Sequence, residues 1–365
     1  MSKIISVGTA VPDYCAEQSV ILNFMQDAYN DDTASRKLKI LFQQSGIKKR
    51  YSVVADFKNE SVENSIFDKT QQTLNIEKRL SIFKKHAPLL AIKAIDNVLN
   101  KINLSIENFK PTHIITVTCT GLYAPGLDAE IIEKLNFSKD IFHISVNFMG
   151  CNAAFPALKI ADLIAKSDDN AIILVVCVEL CTLHFRTKNS NDNILSNTLF
   201  GDGAAAAIVV SDTTVNFTQK NSIKIEGFYS LIISSGKDLM GWNITSVNFE
   251  MILDAKVPEF IGNEIKELIR KIEQKLHITQ NSIGKWAIHP GGKKILDNVQ
   301  KQLQLTDQDL QYSYKVLSDY GNMSSPTILF VLNEIMQADH IINEKIMSIG
   351  FGPGINIETA VFSYC

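Results

Sequence analysis

Two strongly apolar runs constrain the fold of this chain most: residues 171–178 (AIILVVCV) and residues 204–210 (AAAAIVV). Both are far shorter than the roughly 18 apolar residues that a membrane-spanning helix needs. Runs of this length that are rich in β-branched side chains are typical of strands buried on both faces of a sheet. They therefore favour an α/β protein whose central sheet is covered by helices on both sides.

Along the rest of the chain, predicted strands alternate with predicted helices. Short β-branched runs predict strands at residues 4–7, 113–118, 142–147 and 172–177, and helical periodicity predicts helices at 87–99, 153–164 and 261–276. The polar segment 211–222 follows a buried strand, and it is the predicted boundary between two parts, residues 1–215 and 216–365. Strand–turn–helix units occur in both parts, which is compatible with an internal duplication.

Charge and cysteine content narrow the range of partners and compartments. With 36 basic and 39 acidic residues the formal charge is −3, so bulk charge offers no attraction to nucleic acid or anionic membranes. The first residues read as a strand and lack the features of a secretory signal, so none is expected. The six cysteines show no paired spacing, which predicts a cytosolic protein with free thiols.

The turn at residues 148–154 places Cys151 beside the predicted start of an apolar helix. Unpaired N–H groups and the positive end of the helix dipole at such a position stabilise a thiolate, so the pKa of the Cys151 thiol is expected to be lowered. The helix is apolar almost all round and should be buried at the centre of the molecule. A buried cysteine is more often an inert packing residue, and Cys151 alone does not establish a nucleophile.

Two further turns carry side chains that could act with Cys151. A predicted strand ends at His289 before a Pro-Gly-Gly corner, and Asn322 precedes an apolar helix. Local hydrogen bonding explains each residue when it is taken alone. Together a thiol, an imidazole and an amide form the set that acyl transfer through an oxyanion or enolate needs. A Cys-His-Asn hydrolase is compatible with this set, but a condensing enzyme fits better, because an amide donates to an enolate oxygen without deprotonating the incoming nucleophile.

Further motifs occur in order along the whole chain: residues 7–12 (VGTAVP), 46–51 (GIKKRY), 118–128 (TCTGLYAPGLD), 176–184 (VCVELCTLH), 199–204 (LFGDGA) and 350–354 (GFGPG). With the three turns, this series resembles the type III polyketide synthases, the chalcone-synthase-like family of homodimeric condensing enzymes. An ordered series is far more specific than any single motif. The resemblance implies a thiolase-like fold in which two similar α/β halves form a five-layered αβαβα core.

The resemblance also implies the chemistry of the three residues. Cys151 would take a starter acyl group from an acyl-CoA and hold the growing chain as a thioester. His289 would keep Cys151 ionised as an ion pair, and with Asn322 it would bind the malonyl thioester carbonyl while CO2 leaves. The chain would then be extended in several rounds and cyclised to a pyrone, resorcinol or phloroglucinol-type ring. Acyl-CoA and malonyl-CoA are the implied substrates, and neither a cofactor nor a metal is implied.

The residues of the substrate cavity are carried over from the family by position. Phe200 corresponds to an aromatic gatekeeper between the CoA tunnel and the cavity, and Met251 replaces a second gatekeeper that is usually Phe. Small residues at Thr120, Ala124 and Cys181 match members that hold a long alkyl starter in a side tunnel, although short-starter enzymes share part of this pattern. The resemblance adds His184 and Ser324 to the substrate cavity, although a core imidazole is an equal interpretation of His184. It also identifies Gly352, Pro353 and Gly354 as a loop that shapes the cavity near the cyclising chain.

Two lysines are implied in CoA binding. Lys294 matches a phosphate-binding lysine after the His289 turn, and Lys37 matches one member of a basic cluster near the N-terminus. The two other cluster positions hold Ile40 and Gln44, so the site would be rebuilt from neighbouring basic residues: Arg36, Lys39 or Lys48.

Three alternatives to a type III polyketide synthase are compatible with part of the sequence. Cys177, Glu179 and Cys181 share one face of a strand and could bind zinc, but a buried strand in a family without a metal is the simpler interpretation. A ketoacyl-ACP synthase III-type enzyme has the same three residue types, but it performs a single condensation with a carrier-protein partner. A non-catalytic interaction subunit with this fold is disfavoured because all three residue types are intact.

Overall fold

The computed structural model describes residues 1–58, 74–214 and 221–365. Thirteen strands occur in these ranges, most of them at the positions where β-branched residues cluster. Their bounds are β1 (Ser2–Ala10), β2 (Tyr14–Glu17), β3 (Lys49–Ser52), β4 (His113–Thr118), β5 (Phe142–Asn147), β6 (Ile172–Leu180), β7 (Asp202–Ser211), β8 (Ile223–Ile232), β9 (Met240–Ile244), β10 (Phe249–Leu253), β11 (Ile283–Ile288), β12 (Lys345–Gly352) and β13 (Asn356–Tyr364).

Ten α-helices occur in the same ranges, and several begin at side chains that cap them. Asn75 and Ser190, for example, accept hydrogen bonds from backbone N–H groups in the first turns of their helices. The bounds are α1 (Gln18–Tyr29), α2 (Asp32–Gln44), α3 (Ile76–Asn100), α4 (Leu127–Lys134), α5 (Ala154–Ser167), α6 (Asn191–Leu199), α7 (Val257–Leu276), α8 (Lys293–Leu303), α9 (Gln311–Tyr320) and α10 (Thr327–Met336).

Nine of the strands form one mixed sheet in the order β11-β12-β13-β8-β1-β7-β6-β4-β5. The two apolar runs of the sequence are β6 and β7, which lie next to each other and are buried almost throughout. Alternate side chains of β6 pack into two different apolar clusters, with Val175 on one face and Val176 on the other. The prediction of strands covered on both faces is therefore confirmed.

The sheet consists of two halves that enclose two central helices. β1 and β8 join the halves through a short pairing of Ser2–Ile4 with Ile223–Ile225. Inward-facing side chains from both halves belong to one apolar cluster with α5 and α10. Helices α1 to α4 cover the outer face of the first half, and α7 to α9 cover the outer face of the second. The layers are therefore helix, sheet, helix, sheet and helix, which confirms the expected five-layered core.

The predicted domain boundary lies partly outside the described residues. Of the segment 211–222, residues 215–220 lie outside the described part of the chain. The division into residues 1–215 and 216–365 therefore stays a prediction. Among the described helices, none is long and apolar enough to span a membrane.

Candidate active site

Cys151 lies in a tight turn between the end of β5 and the start of α5. Phe148 and Gly150 have φ angles of 58° and 86°, and the N–H of Ala153 donates to the carbonyl of Gly150. This turn places Cys151 three residues before the first residue of α5, in the position that the sequence predicts. Its side chain is buried, with 8% of the residue exposed.

The Cys151 turn is packed tightly against the residues that follow β12. A Cβ atom on Gly150 would lie 2.1 Å from the ring of Pro353, and one on Gly352 would lie 2.4 Å from the amide oxygen of Asn152. The Asn152 amide donates to the carbonyl of Asn356 at 3.0 Å, which holds the turn on the neighbouring strand. Glycine at position 352 is therefore needed to make room for the turn that carries the thiol.

His289 and Asn322 are fixed by backbone hydrogen bonds in the second half of the fold. The N–H of His289 donates to the carbonyl of Ile349 at 2.8 Å, just beyond the end of β11. Asn322 exchanges backbone hydrogen bonds with Leu199 and Gly201 on either side of Phe200. This pairing ties Asn322, from one half, to the loop of the predicted gatekeeper, from the other.

The three predicted catalytic residues, Cys151, His289 and Asn322, line one cavity together with Phe200 and Met251, and this cavity has about 300 Å³ of empty space that is partly open to solvent. A second cavity, with about 780 Å³ of empty space that is partly open to solvent, also reaches Cys151. Phe200 and Met251 line both cavities, as does Cys151. The thiol therefore lies at the junction of two chambers, beside the two residues that the sequence identifies as gatekeepers.

Burial dominates the electrostatics of this site. It raises the pKa of the Cys151 thiol to about 11, and hydrogen bonds from the side chains of Ser324 and Asn322 offset part of that rise. Burial also lowers the pKa of His289 to about 3, and neither of its ring nitrogens has a hydrogen-bond partner within the described residues. The expected lowering of the Cys151 pKa is therefore wrong, because desolvation outweighs the hydrogen bonds that favour the thiolate.

Most predicted cavity residues lie in the larger chamber, but three do not. Its walls include five of them: Thr120, Cys181, His184, Ser324 and Pro353. Ala124, in contrast, is exposed in the loop between β4 and α4 and does not line either cavity. Gly352 packs against Asn152 and Gly354 occupies a turn with φ 75°, so both shape the backbone and are not part of the wall.

His184 belongs to an aromatic wall that sequence reasoning did not foresee. Its ring stacks on Phe249 with centroids 4.5 Å apart, and Trp242 meets both rings edge-on. The indole N–H of Trp242 donates to the carbonyl of Cys119 at 2.8 Å. Both ring nitrogens of His184 bond to backbone groups, and burial lowers its pKa to about 3, so it is a neutral wall residue. The signal in the sequence that could have predicted this wall is the pair of aromatic residues in the β9–β10 hairpin.

Glu179 is a buried carboxyl behind Cys151. Its oxygens accept hydrogen bonds from the Cys119 N–H at 2.9 Å, the Thr120 hydroxyl at 2.8 Å and the Ser325 hydroxyl at 2.6 Å. The oxygens that would have to bind zinc in the alternative interpretation therefore already accept hydrogen bonds. Within the described ranges, no group of three metal-binding side chains converges. Burial nevertheless raises the pKa of Glu179 to about 7.

We expect this carboxyl to make folding stability depend on pH. Because its folded-state pKa is raised, its contribution is fully present below about pH 4.5 and is lost as the pH rises through about 7. At about 1.4 kcal/mol per pKa unit, the loss is about 3 kcal/mol. Urea unfolding of wild type and Glu179→Gln at several pH values measures the difference, which should shrink with rising pH. A constant difference between pH 4 and 8 would contradict the assignment.

The two predicted CoA lysines lie on the surface. Lys294 is exposed in the first turn of α8, next to Ile295 of the smaller cavity, and within residues 1–58, 74–214 and 221–365 its ammonium makes no ion pair. The neighbouring Lys293 is paired with Asp297 at 2.8 Å. Lys37 is half-buried on α2 and donates to the side chain of Asn191 at 3.0 Å.

Comparisons with known proteins agree with this fold and site. The family model for chalcone and stilbene synthases matches in both parts, the N-terminal domain at residues 1–213 and the C-terminal domain at residues 229–364. Probable polyketide synthase 1 of Dictyostelium discoideum is 29% identical over 363 residues, or 98% of this chain. The chain spans only 11% of the length of that curated relative.

Two solved structures have the same fold. The crystal structure of the C-terminal type III polyketide synthase domain of Steely1, a type I/III hybrid from Dictyostelium, has a TM-score of 0.91 at 28% identity, and covers 100% of this chain and 99% of that one. PKS-I from the brown alga Ectocarpus siliculosus has a TM-score of 0.91 at 22% identity, with 100% and 98% covered, which supports the fold alone.

The nine-stranded core with its buried central helices defines a protein of the thiolase-like fold with a Cys-His-Asn site. The chain belongs to the chalcone and stilbene synthase family, the type III polyketide synthases. Polyketide synthases of this family are acyltransferases that catalyse decarboxylative condensation.

Proposed function

We propose that this chain is an iterative decarboxylating acyltransferase. It loads the acyl group of an acyl-CoA on Cys151, extends it with malonyl-CoA and closes the product to a pyrone, resorcinol or phloroglucinol-type ring. The observation that carries the proposal is the meeting of Cys151, His289 and Asn322 at one cavity in a chain of this family. Decarboxylation of the malonyl group supplies the carbanion equivalent, so the reaction as proposed uses no cofactor.

The roles follow from the geometry of the two chambers. Malonyl-CoA enters the smaller chamber, where His289 and the Asn322 amide donate to its thioester carbonyl as the enolate develops. The larger chamber holds the chain that is attached to Cys151. Phe200 and Met251 separate the two, and the enolate carbon attacks the Cys151 thioester between them.

The lining of the larger chamber favours an apolar starter. Apolar and aromatic side chains from several elements form most of its surface, including Met25, Phe57, Phe185, Trp242, Phe249 and Met251. Of the three small residues on which the long-chain proposal rests, Thr120 and Cys181 line this chamber and Ala124 does not. We therefore base the proposal of a long-chain starter on the chamber itself.

A starter series tests the function and its closest alternative together. Purified protein is incubated with malonyl-CoA and acyl-CoAs of about 8 to 16 carbons, and products are identified by mass spectrometry. We expect alkyl pyrones or resorcinols that contain two or more malonyl-derived units. Products with a single added unit, formed only with a carrier protein, would instead indicate a ketoacyl-ACP synthase III-type enzyme. Malonyl-CoA left intact with every starter would support a non-catalytic subunit.

Lys294 is the stronger of the two proposed CoA contacts because its ammonium is exposed and makes no ion pair with any residue that the structure describes. We expect Lys294→Ala to raise the KM for acyl-CoA about tenfold with little change in kcat, since a charge-assisted phosphate contact is worth about 1.5 kcal/mol. Lys293→Ala is the matched control, because Lys293 is already paired with Asp297. Equal effects of the two substitutions, or a change confined to kcat, would remove Lys294 from the CoA site.

We also propose that the chain forms a homodimer through the outer strand of the first sheet half. β5 is an edge strand of the described sheet, and five of its six residues are exposed or half-buried. Phe142 on β5 and Leu163 on the following helix are 52% and 63% exposed. A strand edge flanked by exposed apolar side chains is a surface that a second copy can cover symmetrically.

Sedimentation velocity tests the dimer. We expect wild type to sediment with twice the mass of one chain, and the double variant Phe142→Glu/Leu163→Glu to be monomeric at low micromolar concentration. Ile341→Glu, at a 76% exposed isoleucine before β12, is the control and should remain dimeric. A monomeric wild type, or a dimer that persists in the double variant, would contradict the proposed interface.

All six cysteines are free thiols, which fits the proposed cytosolic location.

A further inference from the structure

Phe200 comes directly after the last residue of α6, where the final carbonyl groups of a helix lack partners within the helix. Side chains from two distant segments supply those partners. Arg50, on β3, donates from Nη1 to the carbonyls of Asn197 and Phe200 at 2.7 and 2.6 Å. Gln18, the first residue of α1, donates to the carbonyl of Thr198 at 3.0 Å. The loop that carries Phe200 is therefore held by side chains from outside its own helix.

Arg50 and Gln18 also bind each other. Arg50 Nε donates to the side-chain oxygen of Gln18 at 3.0 Å, and the two residues are only 1% and 7% exposed. Arg50 Cζ lies 5.7 and 5.6 Å from the ring centroids of Phe42 and Phe57, within the range of a cation–π contact. These contacts on several sides fix the guanidinium at the Phe200 carbonyl.

The same loop is tied to Asn322. The N–H of Asn322 donates to the carbonyl of Leu199, and the N–H of Gly201 donates to the carbonyl of Asn322, both at 2.9 Å. The aliphatic part of Arg50 packs against Gly321, where an added Cβ would lie 3.0 Å from Arg50 Cδ. Arg50 therefore contacts both chain segments that meet at the smaller cavity.

Stability alone does not explain an arginine at this place. Its Nη2 is buried and has no hydrogen-bond partner within the part of the chain that the structure describes. Burial of a charged group that keeps an unpaired N–H costs free energy. Unsatisfied groups of this kind are rare in folded proteins and call for a functional explanation.

We propose that Arg50 is a positioning residue that holds Phe200 between the two chambers, so that the enolate formed in the smaller one meets the Cys151 thioester. The role rests on the proposed condensation and on Phe200 lining both cavities. Without the guanidinium, the carbonyls of Asn197 and Phe200 lose their donor and the loop is released. Decarboxylation then continues, but more of the enolate takes up a proton and leaves as acetyl-CoA before it reaches the thioester.

Fluorine NMR of the whole chain, with a fluorinated phenylalanine at position 200, tests the positioning without any substrate. Spectra are compared for the wild-type background, Arg50→Met and Gln18→Met. We expect the population of a second Phe200 conformation to rise about tenfold in Arg50→Met, seen as an additional or broadened resonance. Gln18→Met keeps Arg50 but removes the side chain that orients it, so the same change should be smaller there. This variant decides the test if Arg50→Met does not fold.

Arg79→Met is the matched control. Arg79 is also 1% exposed, and it donates to three backbone carbonyls, none of them in the Phe200 loop: Leu74, Leu183 and Val247. Its loss should leave the Phe200 resonance as in wild type. The amount of CO2 released per malonyl unit incorporated is measured as well, and it should rise about tenfold in Arg50→Met and stay unchanged in Arg79→Met. A loss of folded protein lowers both quantities together and does not change their ratio.

Three results would overturn the proposal. An unchanged Phe200 resonance in every folded variant of Arg50 and Gln18 would mean that the loop does not depend on them. The same change in Arg79→Met would assign it to the loss of any buried arginine. A changed resonance with an unchanged CO2 ratio would mean that the position of Phe200 does not control condensation. If wild type forms no extended product, the proposed function fails, and the resonance still shows whether Arg50 holds Phe200.

Discussion

A Cys151→Ala variant is expected to lose product formation about 1,000-fold or more while it continues to decarboxylate malonyl-CoA. Without the sulfur no starter can be loaded, and no thioester exists for the enolate to attack. His289 and Asn322 remain on the wall of the smaller cavity, so the enolate can still form and is quenched by a proton. Release of labelled CO2 and product formation are measured on the same sample.

Asn322→Asp is the complementary variant. It keeps the side-chain oxygen that accepts from the N–H of Ser324 but loses the amide donor that faces the cavity. We expect decarboxylation to fall about 100-fold or more, the usual loss for one oxyanion donor. Acylation of Cys151 should slow as well, because the Asn322 amide also lowers the pKa of the thiol. If Cys151→Ala stopped decarboxylation, or Asn322→Asp left it unchanged, the assignment of these two half-reactions would be wrong.

The second large effect is expected at the turn that carries the thiol. Gly150 has a φ of 86°, and an added Cβ would lie 2.1 Å from the Pro353 ring, which has no flexible end that could move aside. The left-handed backbone costs alanine about 1–2 kcal/mol, and the steric overlap adds about 1–3 kcal/mol. Gly150→Ala should therefore lower the free energy of unfolding by about 2–5 kcal/mol, measured by urea denaturation, and slow Cys151 alkylation.

Gly354→Ala separates these two contributions. Gly354 has a comparable φ of 75°, but a Cβ there would meet no atom within 4 Å. We expect this variant to lose only the backbone contribution of about 1–2 kcal/mol and to retain wild-type Cys151 reactivity. Equal losses in the two glycine variants would mean that contact with Pro353 does not hold the thiol turn in place.

Much of the fold could be predicted from local sequence because apolar residue types indicate which side chains are buried. The runs that form β6 and β7 are apolar on both faces, and only a strand covered on both sides uses such a pattern. Segments 113–118 and 142–147 were predicted with the bounds that β4 and β5 have. The joining of the two halves through β1 and β8 depends on contacts far apart in sequence, so periodicity alone could not supply it.

The sequence predicts which residue types form the site, but it does not predict the environment that the folded chain places around them. Ordered motifs identified Cys151, His289 and Asn322, but the pKa of Cys151 depends on how completely the surrounding chain removes water from it. Ala124 was placed in the cavity because it is small, yet side-chain size does not determine the direction in which a loop faces. Trp242 was missed because its place on the wall arises from the β9–β10 hairpin.

Mass spectrometry of the Cys151 peptide during turnover tests most directly whether this thiol carries the growing chain. Protein is incubated with a long-chain acyl-CoA, digested and analysed before and after addition of isotopically labelled malonyl-CoA. We predict that Cys151 first gains the mass of the starter acyl group, and that the released product then contains two or more labelled units. An unmodified Cys151 with every starter, together with the absence of extended product, would contradict the proposed function.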